Sequence, residues 1–364
     1  MEKIRNLKIS VKSRDMDNLN HYRQQLTLNP RLTYLFVELT NSCNLRCLHC
    51  GSSCGERKGM FIDTALLLGS LKTVAEDFPA RTIMICFTGG EPLLHPDFFQ
   101  IVETVVKLGF SWGITTNATL VDDLSAAKMK AFGLQSITIS IDGLEDTHDM
   151  LRQVSGSFRA TISAVNILHK YGIPIQVTSV IHSGNFDELK SMYLLMLSQN
   201  ILSWRIINIE PIGRAEEHPD LLLDRSQFFK LLEFIRELRY APDNAMDVRF
   251  GCSHYLSFDF EREVRDNYFI CGSGIYVGSI LCNGDIFSCL DIPRRKDLIQ
   301  GNIRSDRFSE VWFHKFKQFR ENRALLSKKC VLCKERSFCN GDSTHTWNFD
   351  MNEPNFCIMR KEGF

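Results

Sequence analysis

Three cysteines with short spacing stand near the start of the chain. Cys43, Cys47 and Cys50 follow a CxxxCxxC pattern, which places three thiolates in one short loop. A structural zinc site takes four ligands, whereas a cubane iron-sulfur cluster held by three cysteines keeps one iron open to a further ligand. The pattern therefore favours a [4Fe-4S] cluster with an open iron. The alternatives are zinc completed by His49 or Cys54, or a chance run of cysteines.

The composition is that of an ordinary globular protein, with 364 residues of which 44% are hydrophobic and 24% charged. Basic and acidic residues balance at 43 each, so no overall field attracts nucleic acid or an anionic membrane surface. Residues 1–5 are charged and lack the apolar run of a signal peptide, and no window is long enough to span a membrane. We expect a cytoplasmic protein that binds neither nucleic acid nor membrane.

The thirteen cysteines fall into two groups, because four lie between Cys43 and Cys54 and eight between Cys252 and Cys357. In a reducing cytosol such spacing indicates metal ligation rather than a disulfide framework. The later group contains the CxxC pair Cys330 and Cys333, a spacing that zinc ribbons also use. Cys86, between two apolar neighbours, is expected in the core.

Short apolar runs alternate with helical patterns between residues 34 and 239, which predicts repeated βα units and a parallel sheet. The predicted strands are 35–40, 82–87, 111–116, 136–141, 175–180 and 204–209. Six such units predict an α/β fold with a partial (β/α)6 barrel of the TIM type. In such barrels the chemistry lies at the carboxyl ends of the strands, where the first cysteine loop also falls.

Three segments are predicted. Residues 1–33 form an N-terminal extension, expected to pack on the barrel, and residues 34–242 form the barrel. Residues 243–364 form a small cysteine-rich domain of short strands with one helix over residues 309–323.

The cysteine loop resembles the signature of the radical S-adenosylmethionine (SAM) superfamily, which has this spacing after its first barrel strand. The resemblance implies that the open iron chelates S-adenosylmethionine. Reductive cleavage then gives a 5′-deoxyadenosyl radical that takes a hydrogen atom from the substrate. Further matches stand at later strand ends, and the resemblance implies that they bind S-adenosylmethionine: Gly89, Gly90, Glu91, Asn117, Ser140 and Arg152.

The second cysteine group resembles the SPASM domain, which usually carries two auxiliary iron-sulfur clusters. The resemblance implies an outer cluster with four ligands, Cys330, Cys333, Cys339 and Cys357. It also implies that Cys271 and Cys289 bind an inner cluster, for which a further cysteine is expected where Ser343 stands. One or two auxiliary clusters are therefore predicted. Ser343, Asp342, Cys252 or Cys282 could complete the inner site, which could equally keep an open iron or be smaller.

SPASM enzymes mostly modify ribosomally made peptides, so the resemblance implies a peptide or protein substrate that gains a crosslink or another modification. A separate leader-binding protein and a low-potential electron donor such as flavodoxin or ferredoxin are implied partners. Asp291, two residues after Cys289, is the predicted catalytic base, although it could be a solvated turn residue. The alternatives are a radical enzyme acting on a small molecule and a non-catalytic zinc-binding or electron-transfer protein.

Overall fold

Six parallel strands follow one another along the chain, each succeeded by a helix. A computed structural model describes residues 15, 17–55, 59–251, 253–257 and 260–360. The strands are β1 Tyr34–Glu38, β2 Met84–Thr88, β3 Ser111–Thr116, β4 Ser136–Ser140, β5 Ile175–Ile181 and β6 Ser203–Asn208. All six strands predicted from the sequence are confirmed, with ends displaced by two residues at most. None of the helices in these ranges is long and apolar enough to cross a membrane.

The helices lie between the strands and after them. After an N-terminal helix α1 (residues 17–28), they are α2 Thr64–Asp77, α3 Phe98–Lys107, α4 Asp123–Ala131, α5 Glu145–Arg152, α6 Ser157–Lys170, α7 Leu189–Ser198 and α8 Arg225–Tyr240. Their starts follow local sequence signals. Asp63 caps α2 by accepting from the Leu66 amide at 2.7 Å, and Asp122 and Ser125 form a capping box on α4.

The cysteine-rich region continues the same sheet. Strand β7 (Asp247–Phe250) pairs in parallel with β6, and β8 (Val277–Ile280) pairs in parallel with β1. Strands β9 (Asp285–Phe287) and β10 (Gly301–Asn302) extend it in antiparallel fashion. The order is β10-β9-β8-β1-β2-β3-β4-β5-β6-β7, so the barrel remains open between β7 and β10. A separate hairpin joins β11 (Trp347–Asn348) and β12 (Glu353–Pro354).

The predicted helix over 309–323 is wrong in its extent. The chain instead forms α10 (Phe308–His314), α11 (Lys317–Arg320) and a short turn, after a small helix α9 (Glu261–Val264) and before α12 (Arg336–Cys339). The break is stabilised by Arg320, whose guanidinium donates to the Trp312 carbonyl at 2.5 Å and the Gly274 carbonyl at 2.7 Å. A cation at the end of a helix satisfies carbonyls that lack an intrahelical donor.

The N-terminal helix packs on the cysteine-rich region, while Leu32, which follows it, belongs to the main core with the barrel strands. Leu19 packs with Phe269 and Phe338. The buried Arg23 donates to the Phe338 carbonyl and, at 3.1 Å, to the Phe269 carbonyl. The helix therefore covers the part of the molecule in which Cys271 and Cys339 lie.

Candidate active site

Four thiols lie together in the loop that follows β1. Cys43, Cys47, Cys50 and Cys54 pack with Leu45, and Cys43 and Cys54 are buried. Burial raises the pKa of the Cys47 thiol to about 12, whereas a hydrogen bond with Cys54 lowers the pKa of Cys50 to about 6. The loop thus brings the three predicted ligands together and adds Cys54 as a fourth thiol.

Arg214, four residues after the Glu210 that follows β6, holds this loop in place. Its guanidinium donates to the Cys47 carbonyl at 2.5 Å and to the Cys54 carbonyl, and its amide donates to the Cys50 carbonyl at 3.0 Å. A Cβ on the preceding Gly213 would lie 2.3 Å from the Gly51 oxygen, so only glycine permits this approach. Sequence reasoning did not identify Arg214, for which a charge at a strand end was the only signal.

The Gly89-Gly90-Glu91 motif packs directly against the cysteine loop. A Cβ on Gly90 would lie 2.0 Å from the Ser42 oxygen, and one on Gly89 would lie 2.4 Å from the Thr40 oxygen. Both glycines therefore admit the backbone of the cysteine loop. The Glu91 side chain is fully buried and accepts from the Thr116 hydroxyl at 2.8 Å and the Asn117 amide at 2.9 Å. Burial raises the pKa of Glu91 to about 7.

Asn117 joins this arrangement from the end of β3. Its side-chain amide nitrogen donates to the Asn44 side chain at 2.9 Å and lies 3.8 Å from the Cys43 sulfur. Ser140 ends β4 and is half-buried. Both predicted residues thus lie at the carboxyl ends of barrel strands, and Asn117 contacts a cysteine of the loop.

A buried ion pair lies beside the loop. The Arg152 guanidinium donates to one Asp142 oxygen, at 3.0 Å from Nε and 2.5 Å from Nη2. Burial disfavours the charged Asp142 carboxylate, but the Arg152 cation, the two neighbouring histidines and a backbone amide together outweigh it and keep the pKa of Asp142 well below its usual range. Burial raises the pKa values of Cys43 and Cys47, and the positive charge of Arg152 partly opposes that rise. Arg152 therefore stabilises thiolates as well as Asp142.

Three histidines surround this pair, of which His148 and His182 are buried and His49 is half-buried. His49 Nε2 lies 3.6 Å from the Asp142 carboxylate, and His148 Nδ1 accepts from the Asp142 amide at 3.2 Å. Burial lowers the pKa values of His49 and His148 to about 4 and also lowers that of His182. Each ring keeps one buried nitrogen without a hydrogen-bond partner in the described structure: His49 Nδ1, His148 Nε2 and His182 Nε2.

The chemistry of this donor set fits an iron-sulfur cluster with a polar ligand beside it. Three thiols converge in one loop, a cation lies next to two of them, and three neighbouring histidines each keep a buried ring nitrogen without a partner. Buried polar atoms are normally satisfied, so orphaned nitrogens at a candidate site are consistent with a bound ligand. In the described ranges, no three His, Cys, Asp or Glu side chains lie close enough to share one metal ion.

The outer set of cysteines occupies a compact region near the C-terminus. Cys330 is buried and accepts from Arg360 Nη2 at 3.7 Å, and the Cys333 amide donates to the Cys330 carbonyl at 2.9 Å. Burial raises the pKa of Cys339, with nearby Asp342 and Cys357 adding to the effect. Burial also raises the pKa of Cys357, with Cys330 among its neighbours. Cys330, Cys339 and Cys357 are therefore electrostatically linked.

The inner set differs from the expected pattern at its third position. The Cys271 sulfur lies 3.2 Å from the Thr344 hydroxyl and 3.4 Å from the Thr344 amide. Ser273, two residues after Cys271, bonds at 2.7 Å to Ser288, which precedes Cys289, so the two segments are neighbours. Thr344 thus contacts the predicted ligand Cys271. Thr344 itself was not singled out from the sequence.

The other residues considered for the inner site have contacts elsewhere. The Ser343 hydroxyl lies 2.8 Å from that of Thr346, and the Asp342 carboxylate accepts from the Tyr255 amide at 2.7 Å. Cys282 is buried beside Glu38. Burial raises the pKa of the Cys282 thiol, and the negative charge of Glu38 raises it further. Cys252 lies outside the described residues. Asp291, the predicted base, is exposed.

Two polar bridges join the barrel to the cysteine-rich region, and neither was predicted. Arg294 donates to Glu38 at the end of β1, at 2.6 Å, and to Ser52 in the cysteine loop, at 3.0 Å. His254 is buried between Glu210, 2.6 Å from Nε2, and Asp342, 3.3 Å from Nδ1. Burial opposes the imidazolium, but the two carboxylates raise the pKa of His254 to about 10.

Two protein-family models match this chain. The Radical SAM superfamily matches residues 37–196, and the iron-sulfur cluster-binding SPASM domain matches residues 271–335. An uncharacterized protein of Methanocaldococcus jannaschii is 30% identical, over 71% of this chain and 85% of that protein. The chain belongs to the radical SAM superfamily. It is a radical SAM enzyme with a SPASM domain, and its cofactors are S-adenosylmethionine, a [4Fe-4S] cluster with an open iron and auxiliary iron-sulfur clusters.

Named relatives of this radical SAM chain differ in activity. The AdoMet-dependent heme synthase of Methanosarcina barkeri is 26% identical, over 92% of this chain and 98% of the relative. The mycofactocin maturase MftC of Mycolicibacterium smegmatis is also 26% identical, over 84% of this chain and 76% of the maturase.

Solved structures of low sequence identity confirm the fold. anSMEcpe with bound AdoMet and Cp18Cys peptide has a TM-score of 0.71 at 18% identity, and covers 90% of this chain and 93% of its own. Streptococcus suis SuiB bound to precursor peptide SuiA has a TM-score of 0.68 at 16% identity, and covers 86% of this chain and 72% of its own. The partial barrel followed by a SPASM domain is thus confirmed.

Proposed function

We propose that this radical SAM enzyme abstracts a hydrogen atom from a peptide and so forms a crosslink or another post-translational modification. The iron-sulfur cluster-binding SPASM match over residues 271–335 carries the proposal, because the enzymes that this domain resembles mostly modify peptides. Two features support it. The barrel is open between β7 and β10, and a shared fold has been solved with a peptide bound.

Cys43, Cys47 and Cys50 would hold the open-iron cluster. When bound, the cluster and S-adenosylmethionine would supply the radical that takes a hydrogen atom from the substrate. Gly89, Gly90, Glu91, Asn117, Ser140 and Arg152 are proposed to surround S-adenosylmethionine. The hydrogen bonds described above refine their roles: Arg152 supplies positive charge beside the thiolates, and Glu91 holds Thr116 and Asn117 at the end of β3.

The surroundings of the loop keep these groups in position. Arg214 ties the cysteine loop to the segment after β6, and the Leu48 amide donates to the Leu151 carbonyl at 2.9 Å, one residue before Arg152. Cys330, Cys333, Cys339 and Cys357 are proposed to hold the outer auxiliary cluster, and Cys271 and Cys289 to hold an inner one. Closing a bond after hydrogen abstraction leaves one surplus electron, which such clusters could carry away.

A second candidate is a small-molecule radical SAM enzyme. It is favoured by the heme synthase relative, which this chain matches over 98% of its length. One comparison separates the candidates. Anaerobic, cluster-loaded protein is incubated with S-adenosylmethionine and dithionite, and either a short peptide encoded beside this gene or an iron-porphyrin precursor of heme is added.

Loss of hydrogen mass from the peptide, with 5′-deoxyadenosine released in step, is the expected result. Conversion of the porphyrin with an unchanged peptide would overturn the peptide proposal and favour the second candidate. Colourless protein with stoichiometric zinc and no 5′-deoxyadenosine would overturn the ligand assignments that underlie both.

A further inference from the structure

The loop that carries Cys330 and Cys333 exposes apolar side chains. Leu332 is 90% exposed, Leu325 is 60% exposed and Leu326 is 58% exposed. Most apolar side chains on a protein surface occur singly, whereas a group of them marks an interaction site. Here the group lies in the segment 325–336, which also contains two of the four proposed ligands of the outer cluster.

The same segment is strongly basic. It contains four basic residues and one acidic residue, in a chain whose net charge is zero. The acidic residue, Glu335, accepts from the Tyr255 hydroxyl at 2.6 Å, and Lys329 pairs with Glu353. Lys328 and Lys334 are exposed and make no ion pair with a described residue. The positive charges of these two lysines are therefore exposed to solvent.

Because exposed leucines and lysines share one segment with two proposed ligands of the outer cluster, a redox partner of opposite charge is the occupant that this surface suits. Weak, transient electron-transfer complexes use small interfaces with an apolar centre and a charged rim, and complementary charge raises the association rate. A substrate peptide would instead have to reach the carboxyl ends of the barrel strands, where the Cys43 loop lies.

We propose that residues 325–336 form the docking surface for an acidic one-electron carrier protein. The inference rests on the proposed function, since it requires the outer cluster at Cys330 and Cys333. Cleavage of S-adenosylmethionine takes one electron from the cluster at Cys43, Cys47 and Cys50, and the outer cluster would return that electron to it before the substrate reacts. In the docking step itself the carrier loses one electron and the outer cluster gains it. No bond is made or broken and no proton is transferred in this step, so the charge balance is complete.

The test compares matched charge reversals. The variant K328E/K334E changes the surface, and K72E/K190E makes the same change in charge on exposed positions of α2 and α7. An acidic plant-type ferredoxin serves as the probe. Its dissociation constant is measured by titration at low and high salt, and 5′-deoxyadenosine formation is measured with reduced ferredoxin and, separately, with dithionite.

We expect K328E/K334E to bind ferredoxin about tenfold more weakly and to lose the salt dependence of binding, while K72E/K190E resembles the wild type. The ferredoxin-driven rate should fall in parallel, and the dithionite-driven rate and the iron content should not change. Equal ferredoxin binding by both double variants would overturn the docking proposal.

Two further results separate failure of the proposed function from failure of the docking proposal. If the wild-type protein binds no iron and forms no 5′-deoxyadenosine with dithionite, the proposed function itself fails. If L332S converts a wild-type dimer into a monomer in size-exclusion chromatography without weakening ferredoxin binding, the surface is a contact between two copies of the chain and the docking proposal is overturned.

Discussion

Arg152 donates two hydrogen bonds to a single oxygen of Asp142, and both side chains are buried. Removing one partner of a buried ion pair leaves an uncompensated charge, which destabilises proteins by about 3–5 kcal/mol. We therefore expect Asp142→Asn to lower the free energy of unfolding by roughly that amount. Anaerobic denaturant titration measures it. The exposed Asp123–Lys170 pair is the control, and Asp123→Asn should cause no resolvable change. Equal effects of the two substitutions would contradict the prediction.

Replacement of Cys43, Cys47 or Cys50 by alanine should abolish cleavage of S-adenosylmethionine, because each removes a proposed cluster ligand. The matched control is Cys86→Ala, on β2 and remote from the loop in sequence, which should retain cleavage. Iron content and 5′-deoxyadenosine release are the measurements. Persistent cleavage in any of the three loop variants would refute its assignment as a ligand.

Cys54 distinguishes an open cluster from a four-thiolate site. It packs with the three loop cysteines and hydrogen-bonds to Cys50, but a cluster with an open iron does not need it as a ligand. We expect Cys54→Ala to keep its iron and its cleavage of S-adenosylmethionine. Loss of the metal, together with tetrahedral zinc in the wild-type protein, would indicate four-thiolate zinc instead.

Gly90 tests how closely the second strand end approaches the cysteine loop. Since a Cβ there would lie 2.0 Å from the Ser42 oxygen, Gly90→Ala should lower the free energy of unfolding by about 3 kcal/mol or more. The control is Gly69→Ala in α2, where an added Cβ meets nothing within 4 Å. That substitution should stabilise the helix by about 1 kcal/mol. Thermal or denaturant unfolding of both variants gives the change in the free energy of unfolding relative to the wild type. A change of the same sign in both variants would contradict the prediction.

His254 should make stability depend on pH. Its pKa is raised to about 10 in the folded chain, so its stabilising contribution is complete below its ordinary pKa near 6.5 and is lost as pH rises through 10. The stability difference between wild type and His254→Gln should therefore be larger at pH 6 than at pH 10.5. The packing control Leu256→Ala changes no ionisable group, so its effect should be the same at both pH values. An equal difference for His254→Gln would contradict the imidazolium assignment.

Much of the fold was predictable because its signals are local. Strands such as β5 (Ile175–Ile181) are runs of β-branched and apolar residues, long enough to be recognised without their partners. β7 has only four residues, and the pairing of β8 with β1 joins residues far apart in the chain. No local pattern carries that information.

The candidate site, like the fold, was predictable only where its signals are local in the sequence. The cysteine spacing and the glycine pair are short motifs, so they could be read directly. The bridge from Glu210 through His254 to Asp342 joins residues 44 and 88 positions apart, and Arg214 acts on a loop more than 150 residues away. These contacts depend on how the sheet brings its ends together.

The shared sheet limits how this chain can be recombined. Because β8 completes the β1 side of the sheet, a shortened chain ending before residue 277 would leave Tyr34–Val37 with unpaired backbone donors and acceptors beside the cysteine loop. Exchange of the C-terminal region between relatives would therefore replace β8, the strand that pairs with β1, as well as the cysteines. Hybrid enzymes joined at the predicted boundary after residue 242 should fold only when the incoming strand can pair with the edge of β1 that β8 occupies.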